Sequence, residues 1–157
     1  MQTTTAVFAL AGAMYAGVFY SSVRAQQPAP AAQTPAAGAA QSVLEGVYTE
    51  EQGKRGDAVY GQECSTCHGA SLEGGEMAPA LAGAAFMSNW QGLTVGDLFE
   101  RIRISMPDGN PGKLSRQQIA DVVAFILSAS KYPAGKTELP KEVEFLKQMK
   151  IEPAKPQ

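Results

Sequence analysis

The chain reads as all-α, on three observations: two segments with helical spacing of apolar residues behind capping signals, a shorter helical stretch leading into the only pair of cysteines, and no alternating run of useful length for a strand. The clearest helix opens at Ser115-Arg116-Gln117-Gln118, a capping box in which the Ser oxygen and the Gln side chain satisfy free amides at the helix start. Behind it Ile119, Val122, Val123, Ile126 and Leu127 follow the i, i+3, i+4, i+7, i+8 pattern and define one buried face. A second helix starts from Thr94-Val95-Gly96-Asp97, carries Leu98, Phe99, Ile102 and Met106, and is stopped by Pro107. The first in chain order is short, over residues 55–64, with Val59 and Tyr60 as its apolar face.

Four segments follow from composition. Residues 1–25 read as an export signal: residues 6–20 are uncharged and mainly apolar, and Val23-Arg24-Ala25 places small residues where a signal peptidase cuts, after Ala25. The alternative is an uncleaved membrane anchor, for which the run is short against the ~17–25 residues that span a bilayer. Residues 26–42 hold no charge, and Pro28, Pro30 and Pro35 interrupt any helix, so this is a disordered linker whose small side chains cannot offset the entropy of ordering. The folded domain is expected over residues 43–133. Residues 134–157 form a charged tail, in which Pro140 can begin a short helix with Val143, Leu146 and Met149 on one side, expected to pack on the domain, with contact to a partner as the alternative.

Charge excludes one class of partner. With a formal net charge of −2 and a pI near 5.4 the chain has no basic footprint for nucleic acid. The domain holds seven Lys and Arg against eleven Asp and Glu, and the tail five Lys against four Glu. A domain that acidic suits a partner with a neutral or basic docking patch.

The chemistry is concentrated in Cys64-Ser65-Thr66-Cys67-His68. Cys-x-x-Cys-His is the attachment sequence of a c-type haem: two thiols three positions apart form thioethers to the vinyl groups, and the histidine is carried under the iron as an axial ligand. A structural zinc site wants four Cys or His ligands, and the whole chain has two Cys and one His. A thioredoxin-type redox pair should sit in a βαβ pattern, and none surrounds this one. The cofactor expected is therefore one haem c, covalent through Cys64 and Cys67.

On Cys64-Ser65-Thr66-Cys67-His68-Gly69, Pro79-Ala80-Leu81, Trp90 and Met106-Pro107, in that order and spacing, residues 56–130 resemble a class I, monohaem c-type cytochrome. The run Pro79-Ala80-Leu81-Ala82-Gly83 with Phe86, Trp90 and Leu98-Phe99 is more narrowly similar to cytochromes fused to or partnered with quinoprotein dehydrogenases. The resemblance implies a compact helical domain wrapped around the haem, with His68 and Met106 as the two iron ligands. A neutral thioether closes the sixth position and favours Fe(II). Met106 ends a helix before the irregular Pro107-Asp108-Gly109-Asn110-Pro111-Gly112 loop, which can lay it over the haem. Met77 is the alternative ligand, and Met87 reads as ordinary packing.

In the family a proline carbonyl accepts the other imidazole N–H, and Pro79 matches that position. Leu81 matches a residue packed on the haem. Trp90 either hydrogen-bonds a propionate or serves as a core aromatic. Arg101 and Arg103 read as surface charges, with propionate pairing as the alternative. Gly56 with Tyr60 resembles the family's close contact of first and last helices.

The expected function is that of a periplasmic single-electron carrier, not itself an enzyme, taking electrons from a dehydrogenase or reductase and passing them to an oxidase or another cytochrome. One alternative is a haem protein with a labile sixth ligand acting as sensor or peroxidase-like catalyst, although His68 is the sole histidine and no distal one exists. Another is a fixed cytochrome subunit of a dehydrogenase complex. Membrane association is expected only if the N-terminal segment stays uncleaved.

Overall fold

The computed structural model describes residues 41–153, so the expected export signal and most of the linker lie outside the described residues. The architecture is all-α: α1 (Glu50–Glu63), α2 (Ser65–His68), α3 (Gly83–Trp90), α4 (Val95–Ser105), α5 (Arg116–Ala129) and α6 (Val143–Leu146). One minimal sheet accompanies them, β1 (Gln41–Ser42) parallel to β2 (Met149–Lys150), in the register Gln41 to Met149 and Ser42 to Lys150.

Both capping boxes form. Thr94 and Asp97 exchange side-chain-to-backbone bonds at the start of α4, and Ser115 and Gln118 do so at the start of α5. The first helix starts earlier than the sequence predicts, because Thr49 caps it by accepting from Gln52 N and Glu50 and Glu51 sit where the helix dipole favours acids. Gly53 and Gly56 lower the local helix propensity and hide that first turn from a pattern search. Their use is tertiary. A Cβ at Gly56 would lie 1.8 Å from Asp121 O and 2.9 Å from Phe125 Cβ, so only glycine lets the backbones of α1 and α5 approach this closely.

The neighbours of Gly53 are Ala124 and Ser128, while those of Gly56 are Asp121 and Phe125, so α1 and α5 run antiparallel. The face of α5 expected to be buried is buried, Ile119, Val122, Val123, Ile126 and Leu127 all being closed to solvent. Tyr60 meets Phe125 with ring centroids 5.2 Å apart, and Leu98, Phe99 and Ile102 of α4 join the same core. Helix α3, which the sequence reading left without an element, contributes the fully buried Phe86.

Two boundaries are corrected. Gln41 and Ser42, placed at the end of the linker, are paired as β1. Residues beyond 133, placed outside the domain, are part of its packing, since Leu139, Leu146, Met149 and Ile151 are buried in the common core. The buried Gln52 side chain grips this tail, its Nε2 donating to Leu139 O at 3.0 Å and its Oε1 accepting from Leu139 N at 2.6 Å. Further along, Gly92 N donates to Ile151 O and Ile151 N to Leu93 O, both at 2.9 Å, which laces the tail to the turn before α4. The tail thus packs on the domain through its apolar residues despite its charges. Among the described residues no helix is long and apolar enough to cross a membrane.

Candidate haem site

Helix α1 ends by delivering the cysteine motif. Cys64 N still donates to Tyr60 O at 2.9 Å, and the chain then turns within α2, where Cys67 N and His68 N both reach Cys64 O, at 3.1 and 3.0 Å. Cys64 is half-buried and Cys67 exposed, both as free thiols. Burial, with Glu63 adding to it, pushes the Cys64 thiol up to about 11, so it stays protonated at neutral pH.

His68 is buried, and its Nδ1 lies 2.8 Å from Pro79 O. A carbonyl oxygen can only accept, so Nδ1 carries the proton and donates it. Nε2 is left with its lone pair as the metal-binding atom, its direction set by the Pro79 bond. The main chain around His68 is pinned as well. Gly74 N donates to His68 O at 2.8 Å, and the Tyr60 hydroxyl donates to Gly69 O at 2.6 Å. Sequence reasoning gave Tyr60 a packing role only, and its hydroxyl bond nine residues down the chain left no local trace.

The methionines separate by environment. Met106 caps the C-terminus of α4, half-buried against the core, with its N–H bonded to Ile102 O at 2.9 Å. The loop behind it returns to the cysteine motif through Lys113, whose ammonium reaches the Glu63 carboxylate at 2.6 Å. Met77 is 84% exposed on the loop between α2 and α3. Met87 packs inward, its sulfur 3.1 Å from the Tyr132 hydroxyl oxygen. Met149 is buried beside β1.

Leu81 and Trp90 are both half-buried against the core, and Trp90 stacks on Phe86 with centroids 6.3 Å apart. Arg103 is engaged by Glu100 in a two-pronged pair, at 2.9 and 2.7 Å, while Arg101 is exposed. That pairing gives Arg103 the surface role.

The donor set fits a haem: two free thiols three residues apart, an imidazole with Nε2 free and a half-buried thioether at a helix end, while Leu81, Trp90 and Phe125 are half-buried against the core. Among the described residues no three His, Cys, Asp or Glu side chains converge as a metal site, so a zinc site finds no third ligand there.

Residues 51–126 match the family model described as cytochrome c oxidase, cbb3-type, subunit III. Among solved structures, the sulfane dehydrogenase SoxCD from Paracoccus pantotrophus is similar with a TM-score of 0.42 and 24% identity, over 55% of this chain and 52% of that one. The chain therefore spans about half the length of that protein chain. No curated protein matches it.

Proposed function

We propose, from the premise that residues 51–126 are a c-type cytochrome domain and the chain a haem electron-transfer protein, that it is an exported single-electron carrier with one haem, attached through Cys64 and Cys67 and ligated by His68 and Met106. The observation that carries this reading is the His68–Pro79 bond: it leaves one imidazole nitrogen free and aimed, beside two free thiols. The bound haem supplies a reversible one-electron couple.

The chain's own groups do the rest. Cys64 and Cys67 would hold the haem through thioethers, tying it to the start and middle of α2. Pro79 O holds the Nδ1 proton in place, raising the basicity of Nε2 and fixing the ring plane. The Met106 thioether would be the second residue to hold the iron, and as a soft neutral donor it would favour the reduced state. Export is supported by the apolar run over residues 6–20 with Val23-Arg24-Ala25 behind it, and it places the carrier in the periplasm, where covalent haem attachment of this type occurs. A fixed cytochrome subunit of an oxidoreductase is the second reading, favoured by the family description of an oxidase subunit.

Two measurements test the proposal. Mass spectrometry of exported protein should find one haem that survives denaturation and acid-acetone extraction; complete loss of haem on extraction defeats the covalent assignment. Met106→Ala should abolish the long-wavelength ferric band of thioether ligation, lower the potential and admit carbon monoxide, with Met77→Ala doing none of these. The opposite pattern transfers the ligand to Met77.

A further inference from the structure

Residues 56–99 contain no Lys or Arg, and their charges are Asp57, Glu63, Glu73, Glu76 and Asp97. Two of these are spoken for, Glu63 by Lys113 at 2.6 Å and Asp97 by the Thr94 cap. Asp57, Glu73 and Glu76 remain, all exposed and among the described residues without a salt bridge, and of these Glu73, whose carboxylate accepts from Ser71 N at 2.7 Å, and Glu76 share the loop between α2 and α3. Glu73 and Glu76 both precede Met77, which at 84% exposed is the most exposed large apolar residue described.

A single exposed apolar side chain is ordinary by itself. What sets Met77 apart is the loop that holds it out. Gly74 N donates to His68 O at 2.8 Å, Gly75 N to Ala78 O at 2.9 Å and Leu81 N to Leu72 O at 2.9 Å, so the tip is a bonded turn. A Cβ at Gly74 would lie 2.4 Å from Ala80 N, which shows how closely the two arms of the loop approach. Two residues beyond Met77 comes the exposed Pro79, whose carbonyl receives the His68 Nδ1 proton. From the tip to the axial imidazole the route is a short piece of backbone and one hydrogen bond.

We infer that the tip at residues 75–79 is the face on which a redox partner protein docks and through which the electron passes, and that the partner presents an apolar depression ringed by Lys or Arg. This rests on the haem reading above. One electron leaves the reduced partner and is taken up at the haem of this chain; no bond is made or broken, and the Nδ1 proton stays on His68. The acidic pair argues for a basic protein surface. It argues against a second copy of this chain, which would bring Glu73 and Glu76 against their own kind, and against an anionic lipid surface. A contact centred on one apolar knob belongs to the small, transient class of interface, in which rim charges act on the encounter rate.

The test uses oxidised holoprotein in stopped flow with two reductants, a lysine-rimmed basic c-type cytochrome and hexacyanoferrate(II). Glu73→Gln/Glu76→Gln should slow reduction by the basic cytochrome about fivefold at low ionic strength, with the effect fading near ~0.5 M salt as screening shortens below ~5 Å. Met77→Ser should slow it at every salt concentration. Reduction by the hexacyanoferrate anion should not slow in either variant. A control, Glu142→Gln/Glu144→Gln, makes the same change in net charge at the start of α6, which packs on α4, and should leave the rate with the basic cytochrome within about 1.5-fold. Equal slowing by the control, or no slowing by the loop variants, overturns the inference, as does a Met77→Ser effect seen only in the self-association of the protein by sedimentation. A wild-type protein whose absorption spectrum does not change with excess dithionite ends the haem reading itself, an outcome distinct from a failure of the docking face.

Discussion

Gly56→Ala adds one methyl group where α1 crosses α5, and the added carbon would lie 1.8 Å from Asp121 O and 2.4 Å from Asp121 C. Real Cβ atoms essentially never come within 3.0 Å, and the obstacle is backbone, so no rotamer change can relieve it. The two helices must therefore separate by roughly 1.2 Å, and gaps of ~0.5–1 Å already forfeit a quarter to a half of the dispersion energy of the atoms facing them. Tyr60 against Phe125 lies on that interface, as do the two-pronged Arg55–Asp121 bonds at 3.2 and 3.1 Å. Overpacking a well-filled core costs typically ~1–3 kcal/mol, and this case belongs at or above the upper end. Alanine returns about 1 kcal/mol through helix propensity. The net expectation is a loss of about 2–4 kcal/mol, or roughly 8–16 °C in Tm for a domain of this size.

Gly61→Ala is the matched control in the same helix, since a Cβ there meets nothing within 4 Å. It should stabilise by ~0.5–1 kcal/mol through propensity alone. Urea and thermal unfolding of the three holoproteins, followed by circular dichroism, give both numbers. If Gly56→Ala proves as stable as the wild type, or both substitutions shift stability alike, the close-approach reasoning is refuted.

The remaining predictions concern other joints of the fold. Gln52→Ala leaves Leu139 N and O buried without partners and should cost about 2–4 kcal/mol, with amide exchange near Leu139 rising first; unchanged protection there would show that the tail does not depend on this grip. Tyr60→Phe keeps the ring against Phe125 and removes only the bond to Gly69 O, so it should retain haem, lose about 1 kcal/mol and shift the reduction potential; a wild-type potential would mean the hydroxyl does not steer His68. The Asp97 carboxyl is held below the usual carboxylate range, first by the Thr94 hydroxyl and then by its amide. A depressed folded-state value means the cap contributes fully above the ordinary value of about 3.9 and is lost as pH falls through the lower folded value. Acid unfolding of Asp97→Asn should accordingly show a smaller stability loss over that window than the wild type, and parallel curves for the two would exclude Asp97 as a source of the acid sensitivity.

Which features were legible depended on the distance over which they are encoded. The starts of α4 and α5 could be read because a capping box joins residues three apart, and the buried face of α5 because its repeat lies within eight positions. Cys64, Cys67 and His68 were readable for the same reason: their chemistry needs a spacing that one helical turn imposes. Pro79 was named through resemblance, but that its carbonyl stands 2.8 Å from Nδ1 is a property of the loop closed by Gly74 and Leu81. The first turn of α1 was hidden by glycines whose purpose is contact with α5. How firmly the tail joins the domain could not be read, because Gln52 and Leu139 are far apart in sequence and no local pattern marks a side-chain amide that will bond a distant backbone.

The sequence by itself determined that this is a helical domain carrying one Cys-x-x-Cys-His motif, since helix periodicity, caps and that spacing are short-range physics carried by neighbouring residues. Tertiary structure decided the rest: that the chain after residue 133 belongs to the core, that Arg103 is bound to Glu100, that Met87 faces Tyr132 while Met77 faces solvent, and which imidazole nitrogen stays free. Each of these depends on which groups compete for the same buried volume or the same acceptor. That competition is resolved only when the helices close on one another.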